Sequence, residues 1–356
     1  MAITRLEVRD FRNLASVSLD PGPRLNLIEG PNGSGKTSLL EAIHLAGVGR
    51  SFLTHQRQIY IRQGASDTTV FVMHGAGEEA QRIGVRCATT GDTEFRRNGE
   101  KLDTRAALAQ GIPVAVITPD SHALVEGGPK VRRGFLDWGL FHVEHSFLEA
   151  WRHYQRALRQ RNAALSQGHR EAEAWVPSLI EMGERIDGAR RSLVQRLREQ
   201  LTGSPLLAGL PGAVALDYEA GWLRDRGLGE AIARDHERDR RDGYTHSGPH
   251  RAELKLRVDE RLATDCLSRG QVKLLVCGLW LAQLKLLRET LGARPVVLLD
   301  DLPSELDERN RSVLLDALYA LEAQVFVTTT DRALTPSPRA DTRLFHVEQG
   351  RFVTVI

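Results

Sequence analysis

"RLNLIEGPNGSGKTSLLEAIHLAG", residues 24–47, is the stretch on which the fold turns. Its first part, "RLNLIEG", reads as a buried strand that runs directly into a glycine-rich loop. "KTSLLEAIHLAG" then reads as a helix, with Gly47 as its expected stop. Between them "GPNGSGKT", residues 30–37, fits G-x-x-x-x-G-K-[ST] in full, in the strand–loop–helix setting its chemistry requires. Glycines let the backbone wrap close to a phosphate, and the loop N–H groups and the helix N-terminus point at its negative charge. Gly30, Pro31, Asn32, Gly33, Ser34, Gly35, Lys36 and Thr37 are therefore the expected nucleotide-binding loop. Lys36 would reach the β- and γ-phosphates, and Thr37 would offer its hydroxyl to Mg²⁺. The competing reading, a tight turn with an incidental lysine, leaves the complete motif unexplained.

Matching carboxylates stand far downstream. "PVVLLDD", residues 295–301, is a continuous apolar run ending in two acids, the pattern of a central parallel strand. Acids at the C-terminal edge of such a sheet usually face ligand. Asp300 is placed to hold Mg²⁺ directly or through water, and Asp301 to orient or polarise the attacking water. The alternative is an acidic turn after a buried strand.

Outward from these two points, the ends of the chain look α/β and the middle looks helical. "TRLEVRDF" and "LASVSLD" resemble paired strands joined by a polar turn near Arg12 and Asn13. Further strands are expected at 59–62, 69–74, 82–88 and 112–118. From about residue 120 the period changes: Phe147, Trp151, Tyr154 and Leu158 share one helix face, which Ser166-Gln167-Gly168 ends. A second helix carries Leu179, Met182, Ile186, Leu193 and Leu197, with Pro177 in its first turn. The apolar repeat is too short for a long coiled coil. The charge-dense segment 224–242 reads as a solvated connection. Alternation resumes at 252–259, and a helix over 306–322, the strand "QVFVT" and a hairpin around Gln349-Gly350 complete the chain. The expected domains are 1–119 with 245–356, and a helical lobe over 120–244.

Composition narrows the class. At 356 residues the chain has room for more than one domain, and 41% hydrophobic with 26% charged residues is a globular balance. No run of eighteen apolar residues occurs, which argues against a membrane span. The N-terminus lacks a signal peptide's apolar region, so a cytosolic location is expected. Cys87, Cys266 and Cys277 lack metal-ligand spacing and read as small core residues. A net charge of +2 does not announce a nucleic-acid partner, and 42 arginines against six lysines reads first as compositional habit.

"LSRGQ", residues 267–271, opens a helix expected near Val272. Alone, Ser268 is as readily a plain helix cap as part of an anion site. Order changes that balance: glycine-rich loop, Ser-x-Gly-Gln, acidic strand, then "SELD" at 304–307. The series resembles the ATP-binding-cassette ATPases, in which the Ser-Gly helix end of one head meets the γ-phosphate of ATP held by another. By that resemblance Ser268, Gly270 and Gln271 meet a partner's nucleotide. One copy of each half-site per chain implies a two-fold homodimer.

The resemblance narrows further. "LEVRDFRNL", "EGPNGSGKTSLLEAIHLAGVGRSF", "VITPDSHALVEGGPKVRRGFLD", "THSGPHRAEL", "LSRGQVKLL", "LLLDDLPSELD" and "FVTTTD" look like the bacterial RecF proteins, over nearly the whole chain. The implied fold is α/β: a cassette-type P-loop ATPase head, a mixed sheet with flanking helices, related to SMC heads and carrying an inserted compact helical lobe. The implied activity is that of an ATP switch with weak, DNA-stimulated hydrolysis. The implied cofactors are ATP and Mg²⁺. The implied partners are duplex and gapped or single-stranded DNA, a second copy of the chain, RecR, RecO and a RecA-type recombinase, in the cytoplasm at the nucleoid.

The pattern also departs from the family. Thr118-Pro119-Asp120-Ser121-His122 stands where Ser-Pro-Glu-Asp-Leu is usual, and Ala252-Glu253 where two aspartates are usual; no function is carried to either place. For DNA, Arg132 and Arg133, with Arg152, Arg156 and Arg159 on a face opposite Trp151, are candidates against a merely solvated surface. The "HVEH" pair at 142–145 reads as a polar face and not a metal site. The alternative function is the ATPase subunit of a membrane transporter. Such subunits usually carry Glu where Asp301 stands and His where Thr330 stands. A small-molecule kinase would leave "LSRGQ" and "SELD" without a role.

Overall fold

The structure, a computed structural model, describes residues 2–223, 226–292, 294–301, 306–330 and 341–355. In chain order it runs through β1 (Ile3–Phe11), β2 (Leu14–Leu19), β3 (Leu25–Glu29), α1 (Lys36–Val48), β4 (Asp67–His74), β5 (Gln81–Ala88), β6 (Thr93–Arg97), β7 (Glu100–Leu102) and β8 (Val114–Ile117). Helices α2 (Pro129–Val143), α3 (Phe147–Ser166) and α4 (Val176–Leu201) follow, then β9 (Val214–Glu219), α5 (Leu228–Asp242), β10 (Glu253–Val258), β11 (Arg261–Leu262) and α6 (Arg269–Leu291). The chain closes with β12 (Val296–Leu299), α7 (Glu308–Ala320), β13 (Gln324–Thr329), β14 (Thr342–Glu348) and β15 (Arg351–Thr354).

Two compact units result, Met1–Ser121 with Leu291–Ile356, and His122–Thr290. The first holds two sheets. One is antiparallel, in the order β2-β1-β4-β5-β6-β7. The other has the order β15-β14-β3-β13-β12-β8 and is parallel from β14 to β8, with β15 antiparallel at its edge. Helix α1 touches β1, β4 and β5 of the first sheet and β8 and β13 of the second. That explains why a helix carrying Ser38, Glu41 and His44 is buried nearly all round. Parallel pairing brings the C-terminal ends of β3, β13, β12 and β8 to one edge, where ligands of open α/β sheets bind.

The second unit packs α2, α3, α4 and α6 with the antiparallel sheet β11-β10-β9 around a core that includes Leu136, Tyr154, Leu179, Ile186, Leu254 and Leu279. Helix α6 is long and apolar enough to cross a membrane by length and composition, yet 72% of its apolar window is buried inside the protein. It is a core helix.

Several expectations are corrected. Residues 245–290, expected with the head, fold with the second unit, because β10 pairs with β9 and α6 buries Val272, Leu275 and Leu286 in that unit's core. Within the expected 224–242 connection, Leu228–Asp242 is a helix: α5 buries Leu228, Ala231, Ile232 and Asp239, a face too sparse to stand out among the charges, and ends at Gly243 (φ 76°). Residues 57–60 form a helical turn rather than part of a strand, with Tyr60 stacked on Phe11 at 5.6 Å. Both edges of β1 are already taken by β2 and β4, leaving one bridge from Phe11 to Ile61. Gly47 does not stop α1; a Cβ there would lie 2.3 Å from Val114 Cγ2, and Gly49, at φ 71°, caps the helix. Strands β6, β7 and β9 had no expectation. The hairpin turn at Gln349 (φ 47°) and Gly350 (φ 75°) formed as expected.

Candidate nucleotide-binding site

A cleft of about 500 Å³ opens at the parallel sheet's C-terminal edge, lined by residues that include Asn13, Gly33, Lys36, Thr37, Asp300 and Asp301. Its size falls within the roughly 300–1,000 Å³ usual for small-molecule sites. The phosphate loop leaves β3 and enters α1 through Gly35, whose φ of 118° is open to glycine. A Cβ at Gly35 would also lie 2.8 Å from Leu14 Cδ2, and one at Gly30 would lie 2.2 Å from the Val347 carbonyl oxygen. The loop is therefore pressed against the β1–β2 hairpin and β14.

Lys36 is buried, and its Nζ donates to the carbonyls of Gly30 (2.7 Å) and Pro31 (2.9 Å). Burial lowers the ammonium's pKa from its usual value, against the pull of Asp301 and Asp300. The Thr37 hydroxyl meets both oxygens of Asp300, at 3.0 and 3.1 Å. Thr328 donates to Asp300 Oδ1 (2.7 Å) and accepts from the Asp301 N–H (2.8 Å). Burial pushes the Asp300 carboxyl above the ordinary carboxylate range; Thr328 and Thr37 oppose the shift and Asp301 adds to it. Asp301 itself sits in the left-handed region at φ 51°.

The donor set fits a triphosphate with a hard divalent cation. A hydroxyl and a carboxylate in contact give two oxygen ligands, and an ammonium sits within the same cleft. Among the described residues no cluster of three or more His, Cys, Asp or Glu could hold a metal by itself, so a cation at Thr37 and Asp300 would need further ligands from a nucleotide and water. Sequence reading located the loop and both acids. It missed Thr328, Arg12 and Asn13 as lining residues, although the two threonines closing an apolar strand were a usable signal.

Ser268, Gly270 and Gln271 belong to the second unit and open α6. The helix starts at Arg269, three residues before the expected Val272. The Ser268 N–H donates to Gln271 Oε1 (3.0 Å) and the Gln271 N–H to Ser268 Oγ (3.4 Å), a reciprocal capping box. Ser268 and Gly270 are exposed, and a Cβ at Gly270 would meet nothing within 4 Å. Ser304 and Glu305 of "SELD", with Leu302 and Pro303, and Asp331 of "FVTTTD" lie outside the described residues.

The arginine candidates divide. Arg132 is bidentate on Glu253 at 2.7 Å for each bond, and Arg133 Nη1 donates to the Ala252 carbonyl (2.7 Å). Burial lowers the Arg133 pKa. Both guanidiniums are thus spent inside the unit, and Glu253 of the departing 252–253 pair supplies one partner. Arg152, Arg156 and Arg159 are exposed on α3 and make no ion pair among the described residues. The "THSGPH" stretch forms a buried polar network: Arg161 pairs with Asp239 (2.6 Å) and Thr245 (2.8 Å), and Tyr154 Oη bonds His250 Nδ1 (2.6 Å). His250 Nε2 donates to the Thr245 carbonyl, so Nδ1 accepts from Tyr154, and burial lowers its pKa to about 4. His142 packs edge-on against Trp138 at 4.8 Å, its pKa lowered by burial to about 4.

Fold and site define a P-loop ATPase head of the ATP-binding-cassette type. The family described as RecF/RecN/SMC N terminal domain matches residues 2–352. The chain is 46% identical over 361 residues to the DNA replication and repair protein RecF of Azotobacter vinelandii, covering 99% of this chain and 98% of that one. It is 43% identical over 367 residues to RecF of Shewanella pealeana, with full coverage of both. A solved structure of the recombination mediator protein RecF with ATP, from the RecFOR pathway, superposes with a TM-score of 0.90 at 24% identity, covering 100% of this chain and 98% of that one. An Smc head bound to the C-winged helix domain of ScpA shares the fold with a TM-score of 0.58 at 16% identity, covering 100% and 97%. The chain belongs to the RecF family of DNA replication and repair proteins.

Proposed function

We propose that this chain is an ATP-driven, DNA-binding switch of recombinational repair. As a homodimer it closes on two ATP molecules, binds duplex and gapped single-stranded DNA, and hydrolyses ATP slowly with stimulation by DNA. With RecO and RecR it helps load a RecA-type recombinase at single-strand gaps, in the cytoplasm at the nucleoid. The observation that carries the ATP part is the Thr37–Asp300 contact beside Lys36 in one cleft. Family membership supports the repair part, and the RecF structure with ATP supports the choice of nucleotide. Family membership, and not the fold, weighs against the transporter reading.

Gly30 to Thr37 would bind the phosphates, and Thr37 and Asp300 would hold Mg²⁺. When bound, the cation supplies charge neutralisation at the β- and γ-phosphates. Lys36 exchanges its two loop carbonyls for phosphate oxygens, recovering the cost of a buried ammonium. Asp301 orients the attacking water. Ser268, Gly270 and Gln271 meet the γ-phosphate held by the partner protomer. The Ser268 hydroxyl only accepts in the capping box, so its own O–H can donate to a phosphate oxygen while the 3.4 Å bond from the Gln271 N–H persists. Such a switch works by residence time on DNA, so slow hydrolysis suits it.

Sedimentation of the full chain with and without ATP and gapped DNA tests this reading. Wild type is expected to dimerise with ATP, and Lys36→Met to lose both ATP binding and dimer. Ser268→Arg should bind ATP as a monomer and neither dimerise nor hydrolyse. A Lys36→Met protein that still dimerises with ATP, or a wild type indifferent to both ligands, overturns the proposal.

A further inference from the structure

The turn between β1 and β2 does more than line the cleft. The Asn13 carboxamide Nδ2 donates to the Gly33 carbonyl of the phosphate loop (3.1 Å). Its Oδ1 accepts from the Ser38 hydroxyl (2.9 Å) in the first turn of α1. One side chain thus bridges the loop and the helix that together form the anion-binding end. The β14–β15 turn reaches the next loop residue, where the Gly350 N–H donates to the Ser34 carbonyl (2.7 Å).

Anion binding by such a loop depends on where its N–H groups point. A peptide unit is planar, so the Gly33 carbonyl moves with the Ser34 N–H, and the Ser34 carbonyl with the Gly35 N–H. Holding the Ser34 carbonyl therefore aims the Gly35 N–H, while the Asn13 bond to the Gly33 carbonyl reinforces a peptide whose Ser34 N–H donates to the Pro31 carbonyl (3.3 Å), and so fixes the turn of the loop. Packing does not hold Gly33, because a Cβ there would have no atom within 4 Å. At φ 76° on a glycine, its peptide is free to rotate unless hydrogen bonds fix it.

We propose that Asn13 is a positioning residue: it fixes the crown of the phosphate loop and ties it to α1, and so sets affinity for the phosphates without touching reacting atoms. This rests on the ATP reading above. The test measures, for the full chain, fluorescent-ATP affinity, KM and kcat for hydrolysis, and the nucleotide-free thermal midpoint. Asn13→Ala should raise the ATP Kd and KM about three- to tenfold, the range expected for one lost hydrogen bond, with kcat within about twofold. The midpoint should fall by no more than a few degrees, because Asn13 is exposed and only the bond to Ser38 is part-buried. Asn13→Asp should lose more, since a carboxylate oxygen repels both the Gly33 carbonyl and the phosphates. Ser38→Ala should weaken ATP binding in wild type and add no further loss to Asn13→Ala, since its hydroxyl acts through Asn13 Oδ1. Unchanged affinity in Asn13→Ala, a fall in kcat alone, or additive losses overturn the proposal. A wild type that binds no ATP fails in every arm at once, and that outcome marks the ATP reading itself as wrong.

Discussion

Asp300 holds a charge that its surroundings disfavour. Its raised pKa means the folded state holds the proton more tightly than the unfolded chain does. That contribution to stability is complete below the ordinary carboxylate range and is lost as pH rises through the raised value. Wherever the group is ionised it carries a standing cost, which a bound cation would relieve. Asp300→Asn should therefore raise the nucleotide-free thermal midpoint, by about 2–4 °C, while abolishing Mg²⁺-dependent ATP binding. Scanning calorimetry beside an ATP titration checks both halves; a lowered midpoint contradicts the first. In wild type, Mg²⁺-dependent binding should fail on acidification at a higher pH than an ordinary carboxylate would give.

Between elements, the telling contact is the buried pair joining α3 and α5. Arg161 and Asp239 have no exposed side-chain surface, and Asp239 also accepts from the His246 N–H (3.0 Å). Removing one partner strands a buried charge, so Asp239→Ala should cost about 3–5 kcal/mol in urea unfolding. Replacing both residues with apolar side chains of similar size should recover most of that loss. An Asp239→Ala protein as stable as wild type contradicts this account of α5. The same contact explains why the 224–242 segment misled: its charges read as solvated, yet one of them faces inward.

Across the whole molecule the net charge of +2 conceals a sorting of arginines into spent and available. Arg132 and Arg133 are bound within their unit, whereas Arg152, Arg156 and Arg159 face solvent along α3. Replacing those three by alanine should reduce the slope of log affinity for duplex DNA against log salt by about 2–3, at roughly 0.9 per phosphate contact. Thermal stability should stay near wild type. Arg132→Ala should show the reverse, a lower midpoint with little change in salt slope. An unchanged slope in the triple variant rules these three arginines out as phosphate contacts.

The phosphate loop, the acidic strand and the family were legible because each is carried by contiguous residues whose backbone geometry is decided locally. Helices α3 and α4 were legible for the same reason, through long apolar periods. What only the tertiary structure decided depends on partners distant in sequence. Thr37 and Asp300 meet across 263 positions, and Arg132 finds Glu253 across 121. The 245–290 segment joined the second unit because β10 paired with β9, a choice its alternating pattern left open. Asn13 became a clamp because a hairpin turn packs on the loop. A motif states which chemistry is available; long-range pairing and burial determine which of its groups are free to perform it.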